Sequence, residues 1–183
     1  MQPRKTVRKL AAEELFEYAV RYLGLRACST DELKSRLRAR AALVADVDAA
    51  IVRLKDIGYL DDRRFAESYA AARLENDGFG RMRVLTDLRS RRVPANLAEK
   101  AVERVFEDKS ENDLIDAFIE RRLPSLVGAG QIEDERILAR AYRRLRRAGF
   151  SSAGTLAALK RMAARPELID EPPPDDPDAE AAE

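Results

Sequence analysis

Histidine and tryptophan are missing from this chain, and cysteine occurs once, as Cys28. Without histidine the chain lacks the commonest general base and the commonest transition-metal ligand. A single cysteine makes neither an internal disulfide nor a thiolate metal cluster. These absences disfavour triad, zinc and redox chemistry, so no cofactor and no metal are expected. Cys28 has no histidine to activate it and is expected to serve as a small core residue. Long apolar runs are lacking too: none approaches the roughly 20 residues that cross a bilayer. The opening MQPRKTVRKL has no apolar segment of the signal-peptide kind, so the expected location is the cytoplasm. Glycine and proline are sparse before residue 166, and no stretch alternates cleanly with period two. An all-helical body is the economical reading.

Charge is plentiful. Lys and Arg number 34 and Asp and Glu 33, but the two signs are not mixed evenly. Residues 167–183 hold eight acids and no base, leaving the other 166 residues with 34 basic and 25 acidic side chains. A body of +9 with a tail of −8 suits an anionic partner, although a solvated Arg/Glu surface accounts for the charge equally well. From Pro166 onward the Pro-rich acidic tail is expected to be disordered, because it cannot bury enough apolar surface to offset ordering. Residues 1–10 are expected to be flexible. The tail could also compete with DNA for the basic body.

The body repeats itself. ELKSRLRAR (residues 32–40) aligns with RVLTDLRSR (83–91) at an offset of 51, and with RAYRRLRRA (140–148) after a further 57. Each copy sets an apolar residue four before a leucine that arginine follows: Leu33, Leu37, Arg38; Val84, Leu88, Arg89; Ala141, Leu145, Arg146. The next helices keep the same offsets, with Ala50, Ile51 and Leu54 matching Ala101, Val102 and Val105, then Ala158, Leu159 and Met162. The helices expected are 11–27, 30–40 and 45–57; 62–76, 80–92 and 95–107; and 110–122, 133–148 and 152–163. They form three-helix repeats at 11–60, 61–108 and 109–165, with the extra length of the third in the Gly/Pro loop 123–133. A 50-residue three-helix unit alone buries only about 60% of its unfolded surface. The expected object is therefore an elongated stack of three such repeats.

The stretch IGYLDDRRFAESYA (57–70) places two carboxylates side by side at a helix start. As N-cap, Asp61 would accept from first-turn N–H groups while Asp62 faces the positive helix end. Leu60 and Phe65 then have the spacing of a hydrophobic staple, and Ser29 with Glu32 reads as a capping box on the preceding unit. Adjacent residues at a helix start point in different directions, so architecture explains these acids better than a metal or catalytic dyad.

With these residues in view, GYLDDRRFAESYAAAR (58–73) followed by GFGRMRVLTDLRSRRVP (78–94) resembles the signature core of the RecX regulatory proteins, bacterial modulators of the recombinase RecA. LRRAGFSSAGTLAALK (145–160) and CSTDELKSRLRAR (28–40) are similar to the third-unit ending and first-unit helix of that family. Two departures stand out: loop 123–133 is longer than expected, and Ala148 occupies a place where a basic residue is usual before Gly-Phe. The resemblance implies a protein that binds along the RecA nucleoprotein filament. There it would suppress filament growth, ATP hydrolysis, strand exchange and the filament-stimulated cleavage of the repressor LexA, modulating DNA repair and the SOS response without being an enzyme.

The residues nominated for contact lie on the second helix of each unit. Arg81, Arg83, Arg89, Arg91 and Arg92 flank the Val84/Leu88 stripe, and Arg140, Arg143, Arg144, Arg146 and Arg147 surround Ala141/Leu145. Lys34, Arg36, Arg38 and Arg40 take the corresponding places in unit one. Residues flanking a buried stripe point outward. A guanidinium fork pairs with carboxylate or phosphate alike, so RecA acids, single-stranded DNA and double-stranded DNA all stay open as recipients. A monomer acting without a membrane is expected, and a DNA-binding helical repeat acting without RecA is the alternative. Gly78-Phe79-Gly80 lacks the strand and the Gly-Lys-Ser/Thr of a phosphate loop and reads as a helix break. Tyr18, Tyr22, Phe65 and Tyr69, at helical spacing, are expected in the core.

Overall fold

Apolar residues at helical spacing, carried by a chain rich in Ala, Leu, Arg and Glu, leave the backbone little alternative to helix. The computed structural model describes residues 8–126, 132, 134–164 and 166. Among them are nine α-helices: α1 (Ala12–Leu25), α2 (Thr30–Arg38), α3 (Val44–Asp56), α4 (Asp62–Ala72), α5 (Arg81–Ser90), α6 (Ala95–Val105), α7 (Glu111–Arg122), α8 (Glu135–Arg147) and α9 (Ser152–Met162). No strand occurs among the described residues beyond two isolated parallel bridges, Leu10 with Ala41 and Ile132 with Ala163, and the chain is all-α. Residues 1–7, most of the loop 123–133 and the acidic tail from residue 167 lie outside the described residues. Leu10 is tied down on both sides: its N–H donates to the Arg40 carbonyl at 2.8 Å, and its carbonyl accepts from Ala42 at 2.9 Å.

Two compact units divide the chain, Met1–Ala72 with Leu85–Val105 and Arg73–Val84 with Phe106–Glu183. In the first, α1, α2 and α3 close around Leu15, Leu33, Leu37, Val47 and Leu54, all fully buried. Ala66 and Ala70 of α4 and Ala98 and Ala101 of α6 are buried as well, and such small side chains let two helices approach closely.

The start of α2 is where this unit is knitted together. Ser29 caps α2 by accepting from Glu32 N–H at 3.1 Å, and it donates its own hydroxyl to the Arg91 carbonyl at 2.5 Å. The reciprocal half of the expected capping box is absent. The Glu32 carboxylate turns instead to Arg26 at 2.9 Å and Arg91 at 3.8 Å, because two guanidinium groups within reach outcompete a single backbone N–H. The two adjacent acids divide their labour. Asp61 Oδ1 accepts from the N–H groups of Arg63 and Arg64 at 2.9 and 3.1 Å and so caps its own helix. Asp62 accepts from Thr30 N–H at 2.6 Å and so caps α2, supplying an acceptor that the first turn of that helix lacks.

In the second unit α7, α8 and α9 pack around Ile115, Leu145, Phe150 and Leu159, with Phe118 meeting Phe150 edge-on at 5.5 Å. The expected helix 62–76 does not run through. Its α-helical part ends at Ala72, and Arg73–Asp77 form a π-helical turn. Arg121 holds that turn, donating to the carbonyls of Glu75 at 3.3 Å and Asn76 at 2.5 Å. The start of α5 then lies directly on the α8–α9 turn: Gly80 N–H donates to the Ala148 carbonyl at 2.8 Å and Met82 N–H to the Gly149 carbonyl at 3.2 Å. Two glycines permit this approach. A Cβ on Gly80 would lie 2.5 Å from the Gly149 carbonyl oxygen, and one on Gly149, whose φ is +93°, would lie 2.2 Å from Arg83 N.

Cys28 is buried, and burial, followed by the charge of Glu32, pushes its thiol up to about 11 from 9.0.

Three outcomes follow from this packing. Asp61→Ala loses about 1 kcal/mol of stability in urea unfolding, whereas Asp61→Asn, itself a good cap, keeps most of it. Gly80→Ala costs about 1–3 kcal/mol in the same measurement, since backbone rather than a flexible side chain must yield. Cys28 in the folded protein reacts with iodoacetamide far more slowly than in urea at about pH 8. Because its folded pKa is the higher one, the Cys28 contribution to stability is complete below about pH 9 and is lost as pH rises toward about 11.

Candidate functional site

Helix α8 is the most strongly two-faced element of the second unit. Leu138, Ala141, Tyr142 and Leu145 are buried, and Arg136, Arg140, Arg144 and Arg147, at i, i+4, i+8 and i+11, are exposed along the other side with Arg143 half-buried beside them. Asp134 starts the helix by accepting from Arg136 N–H at 2.8 Å. The guanidinium groups of Arg140, Arg143 and Arg144 make no hydrogen bond or ion pair with the described residues. Arg146 is committed locally, donating to the Phe150 carbonyl and closing the α8–α9 turn.

At the C-terminal end of this row a cleft of about 290 Å³ opens, into which Arg144 and Arg147 of α8, Arg83 of α5 and Arg122 of α7 converge. Its remaining lining is Asp77, Phe79, Phe118 and Ala148. Asp77 is the one acid there, held at 2.7 Å by Arg73 and at 3.8 Å by Arg122, and the Arg83 guanidinium lies 5.4 Å from the centre of the Phe79 ring. The glycine contact between α5 and the α8–α9 turn brings Arg83 to this place, and the π-helical turn presents Asp77. Ala148 contributes its carbonyl to Gly80 and only a methyl group to the cleft, so the departure from a basic residue leaves the floor open. Four guanidinium groups facing one carboxylate attract anions. Guanidinium groups donate hydrogen bonds and accept none, so the cleft is equipped to bind anions rather than to relay protons.

The nominated arginines are divided between the two units. Arg81 and Arg83 join the five of α8 in the second, whereas Arg89, Arg91 and Arg92 belong to the first. Several are engaged within the fold. Arg81 donates to the Phe106 carbonyl at 2.6 Å, Arg89 to Glu99 at 3.1 Å, and half-buried Arg91 lies 4.6 Å from the centre of the Tyr69 ring. Arg92 is exposed, with a φ of +59° just past the end of α5. Arg122 and Phe79 were not among the nominated residues. Arg122 lies on a first helix of a repeat and Phe79 in a helix break, and no periodicity marks either. Among the described residues no group of three or more His, Cys, Asp or Glu is placed to hold a metal ion. No described helix is long and apolar enough to cross a membrane.

Comparison with known proteins agrees with this picture. Residues 61–102 match the family model described as the second three-helix domain of RecX. The regulatory protein RecX of Syntrophotalea carbinolica is 30% identical over 74% of this chain and 87% of its own length. That of Thermus thermophilus is 34% identical over 80% of this chain and 91% of its own. Among solved structures, RecX from Lactobacillus salivarius superposes with a TM-score of 0.63 over 82% of this chain and 96% of its own, at 18% identity. A second crystal structure of regulatory protein RecX gives 0.60 over 82% and 73%, at 16% identity. Similarity of this extent over nearly the whole described body, joined to an all-helical fold of the same kind, places the chain in the RecX family of regulatory proteins.

Proposed function

We propose that this chain regulates the RecA recombinase by binding the RecA–DNA filament, lowering its ATPase, strand-exchange and coprotease activities and so modulating DNA repair and the SOS response. The observation that carries this reading is family membership together with an arginine row and cleft that carry no catalytic machinery. The protein acts by binding, as a monomer in the cytoplasm, without cofactor or turnover. Its body is organised as three tandem three-helix repeats, at 11–60, 61–108 and 109–165; the match of residues 61–102 to a three-helix domain supports the middle boundaries. Within the nominated set Arg140, Arg143, Arg144 and Arg147 of α8 and Arg83 are the main contact residues. Arg92 serves similarly in the first unit, while Arg81, Arg89, Arg91 and Arg146 act through the contacts they already make.

A second reading, a repeat protein that binds DNA without RecA, draws on the same convergence of guanidinium groups. Salt separates the two. Direct binding through Z phosphate contacts loses affinity with a log-log slope of about −0.9Z on duplex and −0.7Z on single strands.

Substoichiometric amounts of this protein are expected to depress RecA ATPase on single-stranded DNA, and an unchanged rate contradicts the proposal. Replacing Arg140, Arg143 and Arg144 together by glutamate is expected to keep the fold, because none of their guanidinium groups makes a hydrogen bond or ion pair with the described residues, and circular dichroism checks this. The triple variant is expected to need about tenfold more protein for the same inhibition, the equivalent of roughly 1.4 kcal/mol.

A further inference from the structure

The segment 57–70 is explained only in part by its caps. Leu60 is buried and Asp61 and Asp62 cap two helices, yet Tyr59 is 59% exposed and Phe65 and Tyr69 are only half-buried. The expectation that Phe65 and Tyr69 sit in the core is therefore corrected. Both line an open cavity of about 560 Å³ within the first unit, together with Tyr59, Leu23 and the buried Cys28. Tyr59 thus leaves most of its ring open to solvent beside the buried Leu60.

The cavity has the composition of an interface centre. Tyr59, Phe65 and Tyr69 give it rigid aromatic walls, and Arg26, Arg64 and Arg91 line it against one acid, Asp61, which is occupied with its own helix. Tyrosine, other aromatics and arginine are the residues enriched where partners bury their anchoring side chains. Arg26 and Arg91 share Glu32, whereas the exposed guanidinium of Arg64, which also lines the cavity, makes no hydrogen bond or ion pair with the described residues. Apolar residues flank the lining in sequence and lie open to solvent: Ile57 is 51% exposed and Leu25 87%. Aromatic rings and apolar side chains lining a concave site suit a protein contact better than a phosphate contact.

We infer that this cavity receives one large apolar side chain of a partner protein, flanked by a carboxylate that pairs with Arg64. A nucleic acid strand would make no use of Leu23 and Cys28, which line the cavity. An apolar side chain beside an acid uses both the walls and the charge. Identifying the partner as RecA rests on the function proposed above; the cavity itself does not.

The test uses the full chain carrying Tyr59→Ala and Arg64→Glu, both exposed positions, with circular dichroism and melting to confirm the fold. Binding is measured to RecA without DNA and to fluorescein-labelled oligo(dT). The expected result is a loss of RecA affinity of about tenfold or more with oligo(dT) affinity unchanged. Unchanged RecA affinity overturns the inference, and so does an equal loss toward oligo(dT), which would make the cavity a nucleic-acid site. If the wild-type chain binds neither free RecA nor the RecA–DNA filament, the proposed function fails separately. The cavity is then judged with a labelled peptide of sequence Asp-Glu-Phe-Glu-Asp. Binding by the wild type that the double variant loses upholds the inference, and absence of wild-type binding overturns it.

Discussion

The contact between Gly80 and Gly149 is the constraint on which the arginine cleft depends. Helix α5 starts on the α8–α9 turn through two backbone hydrogen bonds, at a separation that no Cβ could occupy. Because backbone meets backbone, the Arg83 backbone is fixed against the turn that follows Arg144 and Arg147, and its side chain starts from that anchor. The π-helical turn just before it has the same effect on Asp77, since Arg121 grips two of its carbonyl groups. A cleft built on such anchors is preorganised, and preorganisation is how a small charged site binds without spending its interaction energy on ordering long side chains.

The first unit relies on a different device with the same logic. Its helices, nine to fourteen residues long, are too short to stand alone, so their free ends must be satisfied by neighbours. Around the start of α2, Ser29, Asp62 and the Arg91 carbonyl join three segments distant in sequence. The paired acids that first suggest chemistry are thus cross-links between helix ends. What they leave over, the exposed Tyr59 and the half-buried Phe65 and Tyr69, lines the open cavity of the first unit.

Much of the fold was legible in the sequence because helix periodicity and capping are local. The boundaries read for α2, α6, α7 and α9 fall within two residues of those observed, and Asp61 caps the helix that it was expected to cap. The site was less legible, since convergence in space has no local signature. Arg122 and Phe79 reach the cleft only through the folded path of α7 and the π-helical turn. Likewise the spacing of Phe65 and Tyr69 places them on one face of α4 without revealing that the face is partly open. The split of the arginines between structural and outward duties was hidden for the same reason: Arg91 and Arg146 flank buried stripes as Arg144 does, yet ring and carbonyl acceptors lie within their reach.

On the function proposed above, this member of the RecX family grips a protein-coated strand by complementary shape and charge, not the bare strand by phosphate neutralisation alone. The most direct measurement is its affinity for RecA-coated and for uncoated single-stranded DNA at equal salt, across a range of salt concentrations. Tighter binding to the coated strand at every salt concentration is predicted. Equal or weaker binding to the coated strand, with the steep salt slope of simple phosphate contact, would contradict the account.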